Sequence, residues 1–115
     1  MKTLDRIIAV LIVLFGATHV ALAPVFRGHY DAAGMWFLSG GLMIIFLGLM
    51  NLVRAGSPAA APRWAALAAN VMGLAFTAAL VPLVSLRQSP QVATFLVVVG
   101  LATLFSLLRP PAATG

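Results

Sequence analysis

Four apolar runs, at 7–26, 35–53, 64–86 and 91–108, fill most of the 115-residue chain. A helix needs about 20 residues to cross the hydrocarbon layer of a bilayer, and about 17–25 is the working range. Each run therefore reads as one membrane-spanning helix. None alternates apolar and polar residues with period two, so a transmembrane barrel is not expected. Charged residues make up only 8% of the sequence against 63% hydrophobic ones, with mean hydropathy +1.11. A soluble domain carries roughly a quarter charged residues, so this chain has too little polar surface to cover a water-soluble globule. The expectation is an all-α integral membrane four-helix bundle, residues 1–115 forming a single membrane domain. Short breaks, RGHYDAAG, RAGSPAAAPR and RQSP, make consecutive helices antiparallel neighbours in an up-down-up-down order. Residues 54–63 form a cytoplasmic loop and 109–115 a short tail.

Charge gives the orientation. Lys2, Arg6, Arg54, Arg63 and Arg109 fall on one side of the four spans, and Arg27 and Arg87 on the other. Five basic residues against two place both termini in the cytoplasm by the positive-inside rule. The basic residues stand at the ends of apolar runs without clustering, which argues against a nucleic-acid partner. Tyr30 and Trp36 fall near the outer interface and Trp64 near the inner one, as an aromatic belt requires. Small size, abundant alanine and arginine in preference to lysine point to a bacterial inner membrane. An alternative start is a cleaved export signal, because residues 1–23 end in the small-residue pattern Ala21-Leu22-Ala23. Pro24 just after the cut disfavours it, and residues 1–23 are read as part of a retained first span.

Small residues mark the faces on which membrane helices pack. Span one carries Ala9, Gly16 and Ala23, and span two Phe37, Gly41, Ile44, Gly48 and Asn51. Span three has Ala65, Ala69, Gly73 and Thr77 at every fourth position, with Asn70 beside them. Span four has the least marked face. These stripes, with helix-to-helix hydrogen bonds from Asn51 and Asn70, are read as intramolecular packing, and the span-three ladder also as an interface with a second copy or a larger membrane partner.

His19 is the ionisable side chain deepest in an apolar run, and such a residue is a functional-site hypothesis by default. A rise of about 1.5 Å per residue puts it about 12 Å below Arg27, near the depths expected for Ser39 and Thr77. The four residues His19, Trp36, Ser39 and Thr77 thus form a candidate ligand-binding cluster, with Trp36 as a lid. Three roles are open to His19: an interhelical tie, an anchor for a hydrophobic ligand such as a lipid or quinone, and a haem ligand. Haem usually takes two axial ligands in a bundle, and the other histidine, His29, lies in the outer loop with Tyr30 and Asp31. Pro24 and Pro82 leave the Val20 and Ala78 carbonyls without a helical donor. Ending helices near the interface is their preferred role, and opening a polar pocket the second.

Chemistry is sparse. The chain has no cysteine, which excludes disulfide relays and thiolate metal sites. The apolar runs hold no Asp or Glu, unlike the small proton-coupled multidrug transporters of similar size, which depend on a carboxylate in the first helix. No catalytic residue, metal site or cofactor is expected. The leading reading is a non-enzymatic scaffold or accessory subunit acting through helix packing within the lipid bilayer. The alternative is carriage of a small hydrophobic ligand around His19.

Overall fold

The computed structural model describes residues 2–27, 31–85 and 87–108, without the side chains of Phe26 and Arg27. His29, Tyr30, Arg109 and the tail therefore lie outside the described residues. The described residues form four α-helices: α1 Lys2–Arg27, α2 Ala32–Gly56, α3 Ala60–Leu80 and α4 Pro90–Leu108. No strand occurs among the described residues. Each helix, α3 with the turn that follows it, is long and apolar enough to cross a membrane.

The helix ends follow from local chemistry. Asp31 precedes α2 in extended conformation and accepts a hydrogen bond from the Gly34 backbone N–H at 2.6 Å, satisfying one of the orphan donors of the first turn. Pro58 lies between α2 and α3, and the Ser57 hydroxyl accepts from the Ala59 N–H at 3.2 Å. α3 stops at Leu80, earlier than its apolar run, and tightens into a 3-10 turn, Val81–Leu83, around Pro82. Proline has no N–H to continue the ladder, so a regular α-helix is not sustained there. Pro24 behaves differently: it lies inside α1, which continues to Arg27.

The four helices close a ring in which α1 touches α2 and α4, and α3 touches α2 and α4. Asp5 at the start of α1 meets Arg54 near the end of α2, while Val20 meets Gly41. The two helices therefore run in opposite directions. Arg63 in α3 reaches the last carbonyls of α4, and Gly73 faces Phe95, so α3 and α4 are antiparallel too. The fold is thus two hairpins, α1–α2 and α3–α4. The end holding Lys2, Gly56, Ala60 and Leu108 is called proximal below. The core is built from Ile8, Ile12, Leu47, Val99 and Ala102, contributed by three helices and flanked by Ala69 and Leu74 of α3.

Among the described residues, α1 and α2 share the most extensive helix contact. A Cβ on Gly16 would lie 2.7 Å from the Ile45 backbone nitrogen. One on Gly48 would lie 2.7 Å from the Val13 nitrogen, and one on Gly41 3.0 Å from the Val20 nitrogen. Three glycines thus let backbone meet backbone along the hairpin, as small residues do in membrane helix pairs. Gly73 is different: a Cβ there would meet only the side chains of Leu47 and Phe95, at 3.4 Å and beyond.

On α3 the buried positions are Ala66, Asn70 and Thr77. Ala69 and Gly73 are half-buried and Ala65 is exposed. The cause is geometric. Every fourth residue of a helix advances about 40° beyond a full turn, so a ladder of four such residues winds roughly 120° off its starting face.

Candidate functional site: a buried polar clasp

In the sequence the basic residues stand at the ends of the apolar runs, and no Asp or Glu lies inside those runs. α1 in fact begins at Lys2 and carries Asp5 within its candidate span. The carboxylate is 1% exposed, and Arg54, read as a topology charge in a loop, is 3% exposed. Arg54 forks onto Asp5. Its Nη1 donates to Oδ2 at 3.1 Å, and its Nη2 donates to Oδ1 in a close contact. Such two-point pairing suits the planar guanidinium and a carboxylate. It also neutralises two charges whose burial would otherwise be costly.

The network continues across α2 into α3. Arg54 Nε donates to Asn51 Oδ1 at 3.3 Å. The Asn51 and Asn70 amides then bond reciprocally, Nδ2 of Asn51 to Oδ1 of Asn70 at 2.7 Å and the return bond at 3.1 Å. Asn51 Nδ2 also donates to the Leu47 carbonyl at 2.9 Å, so the helix itself fixes the amide orientation. Both asparagines are fully buried. Asp5, Arg54, Asn51 and Asn70 therefore link three helices in one chain of hydrogen bonds, within the proximal half of the bundle.

Helix periodicity explains why these residues converge. Asp5, Ala9, Gly16 and Ala23 are spaced by four, seven and seven residues and are all buried on α1. Gly41, Gly48 and Asn51 do the same on α2, with Arg54 one turn further. Each polar residue extends the small-residue stripe of its helix to the proximal end. Asp5 lies four residues, about one turn, before Ala9 and so shares its face, which is the signal that could have found it. α3 and α4 are tied at the same end. Arg63 Nε donates to the Ser106 carbonyl at 2.8 Å and Nη2 to that of Leu107 at 3.3 Å. A cation there also complements the negative end of the α4 dipole. The guanidinium carbon lies 5.5 Å from the Trp64 ring centroid.

His19 lies in the seam of the first hairpin. Its Nε2 donates to the Phe37 carbonyl at 3.1 Å, and its ring stacks on Phe37 with centroids 4.0 Å apart. The bond requires the proton on Nε2, so iron ligation through this nitrogen would first have to break it. Ser39 donates to the Trp36 carbonyl at 2.8 Å and Thr77 to that of Gly73 at 2.7 Å, each within its own helix. Trp36 is 79% exposed, which does not suit a lid. Trp36 and Ser39 instead line an open depression of about 350 Å³ with Ala32 and Met35. Thr77 and His19 point their hydrogen bonds elsewhere. The packing residues Gly16, Gly41, Gly48 and Asn70 all sit in helix contacts, and Gly73 faces Leu47 and Phe95. No group of three potential metal-ligating side chains occurs among the described residues.

None of the protein-family models, curated proteins or solved structures compared with the chain matches it.

Proposed function

We propose that this chain is a small non-enzymatic membrane protein, a scaffold or accessory subunit that acts through helix packing in a bacterial cytoplasmic membrane. The observation carrying this reading is that its buried ionisable and amide side chains bond one another across helices. Asp5, Arg54, Asn51 and Asn70 form a helix-to-helix clasp, and His19 bonds main chain in the α1–α2 seam. A carrier or catalyst presents such groups to a substrate; here they fix helix positions. Many large apolar side chains, among them Met43, Phe46, Met72 and Phe76, remain exposed on the outside. That surface suits lipid and other membrane helices.

The orientation follows the positive-inside rule, with both termini cytoplasmic and the helices up-down-up-down. With Arg54 neutralised by Asp5, four basic residues still oppose two, so the bias keeps its sign. Native mass spectrometry of protein extracted gently with its lipids tests the proposal. The expected spectrum shows assemblies larger than one copy, holding no stoichiometric small molecule, and unchanged in His19→Ala. A stoichiometric lipid or quinone carried by the wild type and lost in His19→Ala would replace the scaffold reading with ligand carriage.

A further inference from the structure

The two hairpins are held together unequally along their length. Within the first hairpin, Gly16, Gly41 and Gly48 bring backbone against backbone at three levels, Asp5 pairs with Arg54 at the proximal end, and His19 bonds Phe37 towards the distal end. This hairpin is fastened from its proximal end as far as His19 and Phe37. The second hairpin is fastened proximally by Arg63 on the Ser106 and Leu107 carbonyls. Between the hairpins, Asn51 and Asn70 supply a reciprocal amide pair. Further towards the distal end the hairpins meet through apolar side chains. Leu47 and Phe95 lie around Gly73, and the Phe15 and Phe95 rings are 5.9 Å apart and tilted by 40°.

In a bilayer these two kinds of contact respond differently to separation. Parting an amide pair strands polar groups in hydrocarbon. Parting Phe15 from Phe95 exposes rings to acyl chains about as apolar as themselves, so no hydrophobic force opposes it. The helix lengths add to the asymmetry. Phe15 is level with Phe95, and α4 begins five residues before Phe95 while α1 runs twelve residues beyond Phe15. The first hairpin thus extends about 10 Å past the start of α4, at a rise of about 1.5 Å per residue.

We propose that the molecule is a two-arm device: the intact α1–α2 and α3–α4 hairpins pivot about the Asn51–Asn70 clasp, and their distal halves part between Phe15 and Phe95. Acyl chains replace the lost ring contact when the arms open. Motion of this sort is hinge movement between packed bodies, with the clasp as the fixed point.

The absence of cysteine makes spin-label distance measurements direct, with the full chain in nanodiscs of phosphatidylethanolamine and phosphatidylglycerol. Three doubly substituted proteins are compared, all labelled at exposed positions. Leu14→Cys with Phe46→Cys reports the first hairpin, Val53→Cys with Ala68→Cys the clasp level, and Met43→Cys with Ala78→Cys the distal seam. The first two pairs are expected to give narrow distributions, and the third one about twice as broad. Adding Asn70→Leu is expected to broaden the clasp-level pair while leaving the first-hairpin pair narrow. A distal distribution as narrow as that within the first hairpin would overturn the pivot. So would a broad distribution within the first hairpin, because that arm would not move as a body.

Discussion

Gly48 and Gly73 are the same residue used at two different distances. At Gly48, on the seam inside the first hairpin, an added methyl group would run into the Val13 nitrogen and the Ala9 carbonyl. At Gly73, on the seam between hairpins, it would find side chains at ordinary contact distance. One seam is built from main chain brought close by missing side chains; the other is built from side chains and one pair of amides. Membrane helices cannot rely on the hydrophobic effect to hold them together, so close approach and polar contacts must do it. The first hairpin has both along its length. The junction with the second hairpin concentrates its polar contact at Asn51 and Asn70.

The sharpest way to break that contrast is to remove the ion pair of the first hairpin. Asp5→Asn leaves the Arg54 guanidinium buried beside a neutral amide, and breaking a buried pair from one side costs about 3–5 kcal/mol. The measurement is reversible unfolding in mixed detergent micelles. Arg54→Gln is expected to cost a similar amount, and the double substitution less than the two together, since the residues act as one unit. A loss below about 1 kcal/mol for Asp5→Asn would mean that the glycines alone hold the hairpin.

A smaller effect is expected between the hairpins. Asn70→Leu removes one amide of the reciprocal pair and leaves buried groups of Asn51 short of a partner, a cost of about 1–3 kcal/mol. Hydrogen exchange should quicken in α3 before it quickens in α1 or α2. Equal acceleration in all helices would mean that the two seams are one cooperative unit.

His19→Ala should have the smallest effect of the three. Interhelical hydrogen bonds in membrane proteins contribute about 0.6 kcal/mol on average, and the close glycine seam from Gly48 to Gly41 stays intact. The same unfolding assay checks this. A loss several times larger would make His19 a principal fastening of the first hairpin.

Particular residues show what was legible in the sequence. The four spans follow from hydropathy, because hydrocarbon tolerates only segments that satisfy their own backbone groups. Gly16, Gly41, Gly48, Asn51 and Asn70 stood out because helical periodicity groups them on faces whichever helices finally meet. Asp5 drew no reading in the sequence, and Arg54 was read as a topology charge, for a physical reason. At the edge of an apolar run, a charge that snorkels to water and one buried against a partner look alike, and the partner is 49 residues away. The four-residue ladder on α3 leaves the bundle interior at Ala65 because it drifts around the helix. His19, Ser39 and Thr77 share similar depths, but depth does not fix direction, and each hydroxyl found the carbonyl of its own helix.

The two glycines test the central contrast most directly. Gly48→Ala and Gly73→Ala add the same methyl group to neighbouring seams and are measured in one unfolding assay under identical conditions. Forcing a group into the packed backbone seam is expected to cost about 1–3 kcal/mol at Gly48. At Gly73 alanine fits at ordinary contact distance and raises helix propensity, so the change should be neutral or stabilising by up to about 1 kcal/mol. Equal losses at the two positions would contradict the account, because the seams would then be packed alike and the first hairpin would not be the tighter unit.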